Sequence, residues 1–470
     1  MFYYGLTHLA ILYLAYSIFG WIWGTWFLVL FVKIGDDILL SNGYLRLNYG
    51  DMCMSIEKPG INHNISGYAI LEKETYESFQ NFIFKRGIKK VMKLRSIFVK
   101  KFGILLWKDQ GPQAGRDQIK LCTEKINDED GLRKFAEKIC NERMDYSKPL
   151  WEFHFIENYS ETQSAMVLRL HHAVADGGGI VGLFSAMNDP DKRLKIGKQF
   201  PKIGFLQDLV LTFVGPIYSV YLLAKKGLFH SDKEASKINE LKKEDDHYVK
   251  FYTSKTSFDF KALKKCYKRF QGTPKFNDYL MGILSISLKK WYDKYGHTDA
   301  HKIKIVNSMD MRGLPKDIKD VNLYNESIGV QFELPIKKEF EPAMNEAKDN
   351  FHKDLGLLEI ISLRKISDTF PFLPEVVLKF FMNEFYKGVD MMFTNLPMSS
   401  EPCYIANREI KKIGVFPKMH NAVNLFFVAS TYKDRLYLNV SANANLKMDA
   451  QLLLDNACEY LAKDIQNFGS

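Results

Sequence analysis

The chain has 470 residues, 46% of them apolar and 14% aromatic, enough to bury a large core and to form about two globular domains with a membrane-facing part. Sixty-five basic against fifty-five acidic residues leave a net charge of +10, a moderate excess that suits an anionic membrane surface or an anionic substrate and is silent about fold. The six cysteines, Cys53, Cys122, Cys140, Cys266, Cys403 and Cys458, are too scattered for a disulfide framework, which points to a reducing compartment around the main body.

In chain order, no charged side chain occurs from Phe2 to Val32. That run exceeds the roughly 20 apolar residues a bilayer core requires, so it predicts a transmembrane anchor over 1–33, or a hairpin broken near Gly20. A cleaved signal peptide fits poorly without a basic start. Lys33 and the basic residues beyond it put the body on the cytosolic side, with Asp36 and Asp37 as the contrary charges. Ser66 to Leu71 predicts a strand. Between Lys85 and Lys101, eight basic residues interleave with Ile88, Val91, Met92, Leu94, Ile97, Phe98 and Val99. The pattern predicts an amphipathic helix, lying either in a membrane interface or against the body. No nucleic-acid module accompanies the charge, and nucleic acid is not an expected partner.

Met166 to Leu170 predicts a strand, with Phe153 to Ile156 as its hairpin partner across a polar turn. It leads into His171-His172-Ala173-Val174-Ala175-Asp176-Gly177. Alternation along a strand puts His171 and His172 on opposite faces, which argues against a joint metal site, as does the lack of HExxH or paired CxxC spacing. No metal is expected. Gly177-Gly178-Gly179 should end the strand by admitting positive φ, and Ile180 to Met187 should begin a helix. A neutral imidazole with a pKa near 6.5 suits removal of a hydroxyl proton. Asp176 can fold back and fix the loop through backbone hydrogen bonds.

The heptad resembles the HHxxxDG signature of the CoA-dependent acyltransferase superfamily. Upstream, Pro149-Leu150-Trp151-Glu152 resembles the PLW(E) motif of its wax ester synthase/diacylglycerol acyltransferase branch. The resemblance implies an α/β fold of two chloramphenicol-acetyltransferase-like domains with mixed sheets, meeting along a central channel. It makes His172 the general base, with Asp176 and His171 beside it in the catalytic motif, and Gly177 and Trp151 on the substrate side. Acyl-CoA is then a substrate, and no cofactor is expected.

After the heptad, Asn188-Asp189-Pro190 stops the helix and a connecting region follows. Within it Phe205 to Ala224 predicts an apolar helix broken at Gly215-Pro216, lying on the membrane or the protein, and Asp232 to Asp246 a solvated linker. Phe276 opens a helix to Trp291, with Asn277 or Asp278 as cap. This pair resembles the family's ND motif, which implies substrate contact, although a plain capped helix would look the same. Lys304 to Arg312 resembles the strand and loop carrying a substrate-side Arg, and Asn325 to Val330 loosely resembles a GN-type segment. Thr394-Asn395-Leu396-Pro397 resembles SNVPGP without its glycine, so Asn395 either supports an oxyanion or holds a turn. Leu436 to Ala444 alternates as a half-buried strand, and Asp449 caps a final helix.

The expected division is an anchor at 1–33, an N-terminal domain at 34–195, a connecting region at 196–250 and a C-terminal domain at 251–470. The implied activity moves a fatty acyl group from acyl-CoA to a fatty alcohol or diacylglycerol at a membrane, the endoplasmic reticulum with a cytosolic body being the expected site. The alternative is a catalytically inactive, acyltransferase-like lipid-binding or scaffold subunit of a membrane protein complex.

Overall fold

The computed structural model describes residues 30–31, 33–57, 62–101, 104–194, 247–272, 274–310, 312–353, 375–418 and 423–469, with the single positions 13, 17, 20, 204, 218, 238 and 362. The expected anchor lies almost wholly outside the described residues, as do the apolar helix at 205–224 and the linker at 232–246. Among the described residues no helix is long and apolar enough to cross a membrane.

The first half supplies β1 (Tyr44–Arg46), β2 (Asn64–Glu72), β3 (Ser96–Lys101), β4 (Ile104–Asp109), β5 (Ile119–Leu121), β6 (Trp151–Ile156) and β7 (Gln163–His171). The second supplies β8 (Val249–Thr253), β9 (Phe258–Asp259), β10 (Lys302–Met309), β11 (Ile328–Pro335), β12 (Met391–Ser399), β13 (Tyr404–Ile405), β14 (Arg408–Pro417), β15 (Leu425–Tyr432) and β16 (Arg435–Asn443). Among the described residues they form a sheet of order β13-β14-β2-β7-β6-β5, a second of order β11-β10-β12-β15-β16-β8 with β9 on β16, and a small β1-β4-β3 sheet. Both large sheets are mixed, with β6 parallel to β5 and β12 parallel to β10 and β15.

The β6–β7 hairpin forms as its sequence predicts, in the register Phe153↔Leu168 and Glu152↔Arg169. Arg169 is buried, and Glu152 directly opposite neutralises it at 2.5 Å. The expected contiguous domains are interleaved: β14 leaves the second half and pairs antiparallel with β2, Gly414 facing Tyr68. Residues 404–417 therefore belong to the first sheet despite their position in the chain. Helices Phe260–Lys268, Phe276–Lys294, Phe340–His352 and Ala450–Phe468 build a second core with Trp291, Leu438, Leu453 and Leu454. Asp449 caps the last of these through the Gln451 N–H at 3.0 Å, as expected.

Two local expectations fail for physical reasons. The stretch 85–101 is no amphipathic helix: a π turn at Phe84–Ile88 and a 3-10 turn at Met92–Arg95 give way to β3. The β-branched and aromatic run Ile97-Phe98-Val99 favours extended backbone, and Phe98 stacks on the buried Trp107 at 4.1 Å. Nor do the three glycines end β7 through positive φ. The strand stops at His171, and Gly177–Met187 is already helix, capped by Asp176 through the Gly179 N–H at 2.8 Å.

Candidate functional site

Because β7 ends at His171, the chain turns at His172, whose N–H donates to the His63 carbonyl at 2.7 Å. The two histidines then part. His171 is 1% exposed; its Nδ1 accepts the Ala173 N–H at 3.1 Å, so its Nε2 carries the proton toward Glu57 at 2.9 Å. Burial pushes the Glu57 carboxyl up, but hydrogen bonds from His171, Tyr146 and the His63 N–H outweigh it and hold the pKa at about 2. His171 is thereby committed to a structural pair on the far side of the strand from the His172 ring.

His172 keeps partial exposure, whereas Ala173, Val174 and Ala175 after it are sealed. Its Nδ1 lies 2.7 Å from Asn325 Oδ1. Asn325 Nδ2 donates to the His172 carbonyl at 2.7 Å and to Asp51 Oδ1 at 2.9 Å. A backbone carbonyl only accepts, so the amide nitrogen must face it and Oδ1 must accept from Nδ1–H. The network therefore assigns the proton to Nδ1 and leaves the Nε2 lone pair free. Burial lowers the His172 pKa, partly offset by the charge of Asp176, so the ring is neutral at physiological pH.

Asp176 ties the two halves together. Its Oδ1 caps the helix and meets Arg312 Nη2; its Oδ2 accepts the N–H of Glu326 at 2.9 Å, the N–H of Ser327 at 3.1 Å and the Ser327 hydroxyl at 2.9 Å. Burial alone would raise its pKa, yet Arg312 and these donors leave it below the usual carboxylate value. Arg312, expected on the substrate side, instead braces this loop, donating also to the Tyr324 carbonyl at 2.7 Å. The glycines serve close approach: a methyl at Gly178 would overlap the Asp310 carboxylate and stand 2.8 Å from Arg312 Nη2. A methyl at Gly50 would collide with the Asn325 carbonyl and stand 2.6 Å from its Cβ. Gly50→Ala is therefore expected to destabilise by about 1–3 kcal/mol and to lower turnover by displacing Asn325, checked by denaturant midpoint and kcat on the same preparation.

Other residues singled out in the sequence sit elsewhere. Trp151 is 2% exposed, with its indole N–H on the Leu94 carbonyl at 2.8 Å, a core position. The cap of the second-half helix falls at Lys275; Asp278, one turn in, accepts the Lys275 N–H at 2.8 Å and faces His352 at 3.5 Å, while Asn277 is half-buried beside it. Neither hydrogen-bonds into the His172 network. A methyl at Gly177 would stand 3.6 Å from Leu396 Cδ1. Asn395 pairs with Ala429 on β15, whose side chain belongs to the second core, so alternation turns Asn395 away from the face that Leu396 presents to Gly177. The residues that sequence reasoning underweights are Asn325, Asp51 and Lys93. The loose GN-type likeness is the one signal for Asn325; a cavity of about 350 Å³ beside it is lined by Leu40, Tyr44, Tyr49 and Tyr324 among others.

Two mixed sheets meeting at a histidine-bearing strand end define the class of chloramphenicol-acetyltransferase-like proteins. The solved wax ester synthase/diacylglycerol acyltransferase from Marinobacter aquaeolei VT8 superposes with a TM-score of 0.58 at 13% identity, over 90% of this chain and all of that one. The starter condensation domain of rhizomide synthetase, in complex with C8-CoA and Leu-SNAC, gives 0.58 at 12% identity over 92% and 96%. Residues 127–233 match the wax ester synthase/diacylglycerol acyltransferase catalytic domain and residues 325–463 the C-terminal domain of the same family. Wax ester synthase/diacylglycerol acyltransferase 1 of Arabidopsis thaliana is 23% identical over 372 residues, covering 71% of this chain and 76% of that protein. The chain belongs to the wax ester synthase/diacylglycerol acyltransferase family of acyl-CoA-dependent O-acyltransferases.

Proposed function

We propose that the chain transfers a fatty acyl group from acyl-CoA to the hydroxyl of a fatty alcohol or diacylglycerol, with His172 Nε2 as general base. The observation that carries the reading is the Asn325 amide, whose fixed orientation leaves Nε2 unprotonated and, among the described residues, without a hydrogen-bond partner. Nε2 takes the hydroxyl proton as the oxygen attacks the thioester carbonyl. The tetrahedral intermediate collapses by breaking the C–S bond, and the imidazolium returns its proton to the CoA sulfur, which leaves as the thiol. Asp176 and Arg312 join the turn that carries His172 to the segment that carries Asn325, and the intact arrangement gives the inactive-scaffold alternative no support.

The neutral lipid product suits a membrane setting. The charge-free run from Phe2 to Val32 favours an anchor, and on the helical residues 33–41 that follow, Ile34, Ile38 and Leu40 stand exposed. We place the body on the cytosolic face of the endoplasmic reticulum on the charge argument that begins at Lys33. Detergent-purified protein given radiolabelled palmitoyl-CoA with hexadecanol, and separately with diacylglycerol, is expected to form labelled neutral lipid with at least one of them. No labelled ester with either would overturn the reading.

A pH prediction follows. The base must be neutral, and burial lowers its pKa from the ordinary 6.5, so the midpoint of the acid limb of kcat should lie below pH 6.5. A pH–rate profile whose acid limb lies above 6.5 contradicts the assignment.

A further inference from the structure

We propose that Asp51 and Lys93, a buried ion pair from the first half of the chain, are positioning residues that set the tautomer of His172 through Asn325; the proposal rests on His172 being the base. Asp51 is 0% exposed and Lys93 4%, with Nζ and Oδ2 2.6 Å apart. Such a pair is a poor source of stability, since apolar residues of similar volume commonly replace one at no cost. What apolar residues cannot do is accept hydrogen bonds. Asp51 Oδ1 accepts both the Asn325 N–H at 3.1 Å and its Nδ2–H at 2.9 Å. This keeps the amide nitrogen turned from the ring and Oδ1 on His172 Nδ1.

Lys93 supplies the countercharge from within the basic stretch at 85–101. It also grips the segment carrying Asn325: Nζ donates to the Leu323 carbonyl at 3.2 Å and lies 5.0 Å from the ring centres of both Tyr324 and Trp107. Asp51 lies on the helix Tyr49–Ser55, whose Asn48 cap donates its amide N–H to the Asn325 carbonyl at 3.0 Å. Backbone, amide and side chain of Asn325 are thus all held from the first half, and the base receives its orientation across the boundary between halves.

Two neutral replacements separate positioning from packing. The apolar pair Asp51→Leu with Lys93→Met removes the acceptor without stranding a charge. It should fold with a melting temperature near wild type, yet lose about ten- to hundredfold in kcat, the scale of a misplaced catalytic group, with KM for both substrates within about twofold. The amide pair Asp51→Asn with Lys93→Met keeps a carbonyl acceptor and should lose only about threefold, by the same positioning argument. Histidine ¹⁵N spectra without substrate should show His172 protonated at Nδ1 in wild type and in the amide pair, and mixed tautomers in the apolar pair. Wild-type kcat in the apolar pair, or full kcat in the amide pair with the tautomer reversed, would overturn the proposal. The tautomer is read without turnover, so its failure is distinguishable from absence of acyl transfer in the wild type.

Discussion

Asp176→Ala is expected to unfold about 3–5 kcal/mol more easily than wild type, the cost of breaking a buried ion pair by removing one partner. The carboxylate is 3% exposed and carries the helix cap, two backbone N–H groups, a hydroxyl and the Arg312 guanidinium. The cap alone accounts for about 1 kcal/mol; the remainder reflects backbone and hydroxyl donors left without an acceptor and a guanidinium reduced to Asp310 and the Tyr324 carbonyl. Urea midpoints at constant m-value measure it. The lowered pKa fixes the pH sense. Asp176 contributes in full above the ordinary carboxylate value of 3.8 and its contribution is lost as pH falls through the lower folded value. A variant as stable as wild type at pH 7 would show that the two halves are joined by other contacts.

Local chemistry is what the amino-acid order makes legible. The β6–β7 hairpin and the hydrogen bond by which Asp176 closes the turn onto the Gly179 N–H follow from neighbours within about ten residues, where strand alternation and capping operate; the end of β7 at His171 and the bonds of Asp176 to Arg312, Glu326 and Ser327 do not. Asn325 lies beyond that reach: its meaning comes from His172, 153 positions away, and Asp51, 274 away. Lys93 misleads for the same reason. Among eight basic residues it looks like one more solvated charge, and only its partner Asp51, 42 residues earlier, shows that it points inward. Trp151 stands in a recognisable motif, but a motif does not say whether its indole faces substrate or core, and here the Leu94 carbonyl takes the N–H. Asn395 turns on parity: one step along β12 decides which core a side chain meets. The crossing of β14 into the first sheet leaves no mark in its composition, since its pairing with β2 spans more than 300 residues.

His172→Ala carries the largest expected loss in activity. Removing a positioned general base costs about a hundred- to ten-thousandfold in kcat. His172 fills no core position, so the substitution leaves folding near wild type, and Asn325 keeps its bonds to Asp51 and to the backbone carbonyl at position 172. His171→Ala offers the contrast, because it removes the buried imidazole that pairs with the half-buried Glu57 and should act first on stability. The most direct measurement is therefore the turnover of radiolabelled palmitoyl-CoA into neutral lipid by wild type and His172→Ala, purified alike and matched by melting temperature. The account predicts rapid ester formation by wild type and a loss of at least about a hundredfold in the variant; equal rates from the two would contradict it.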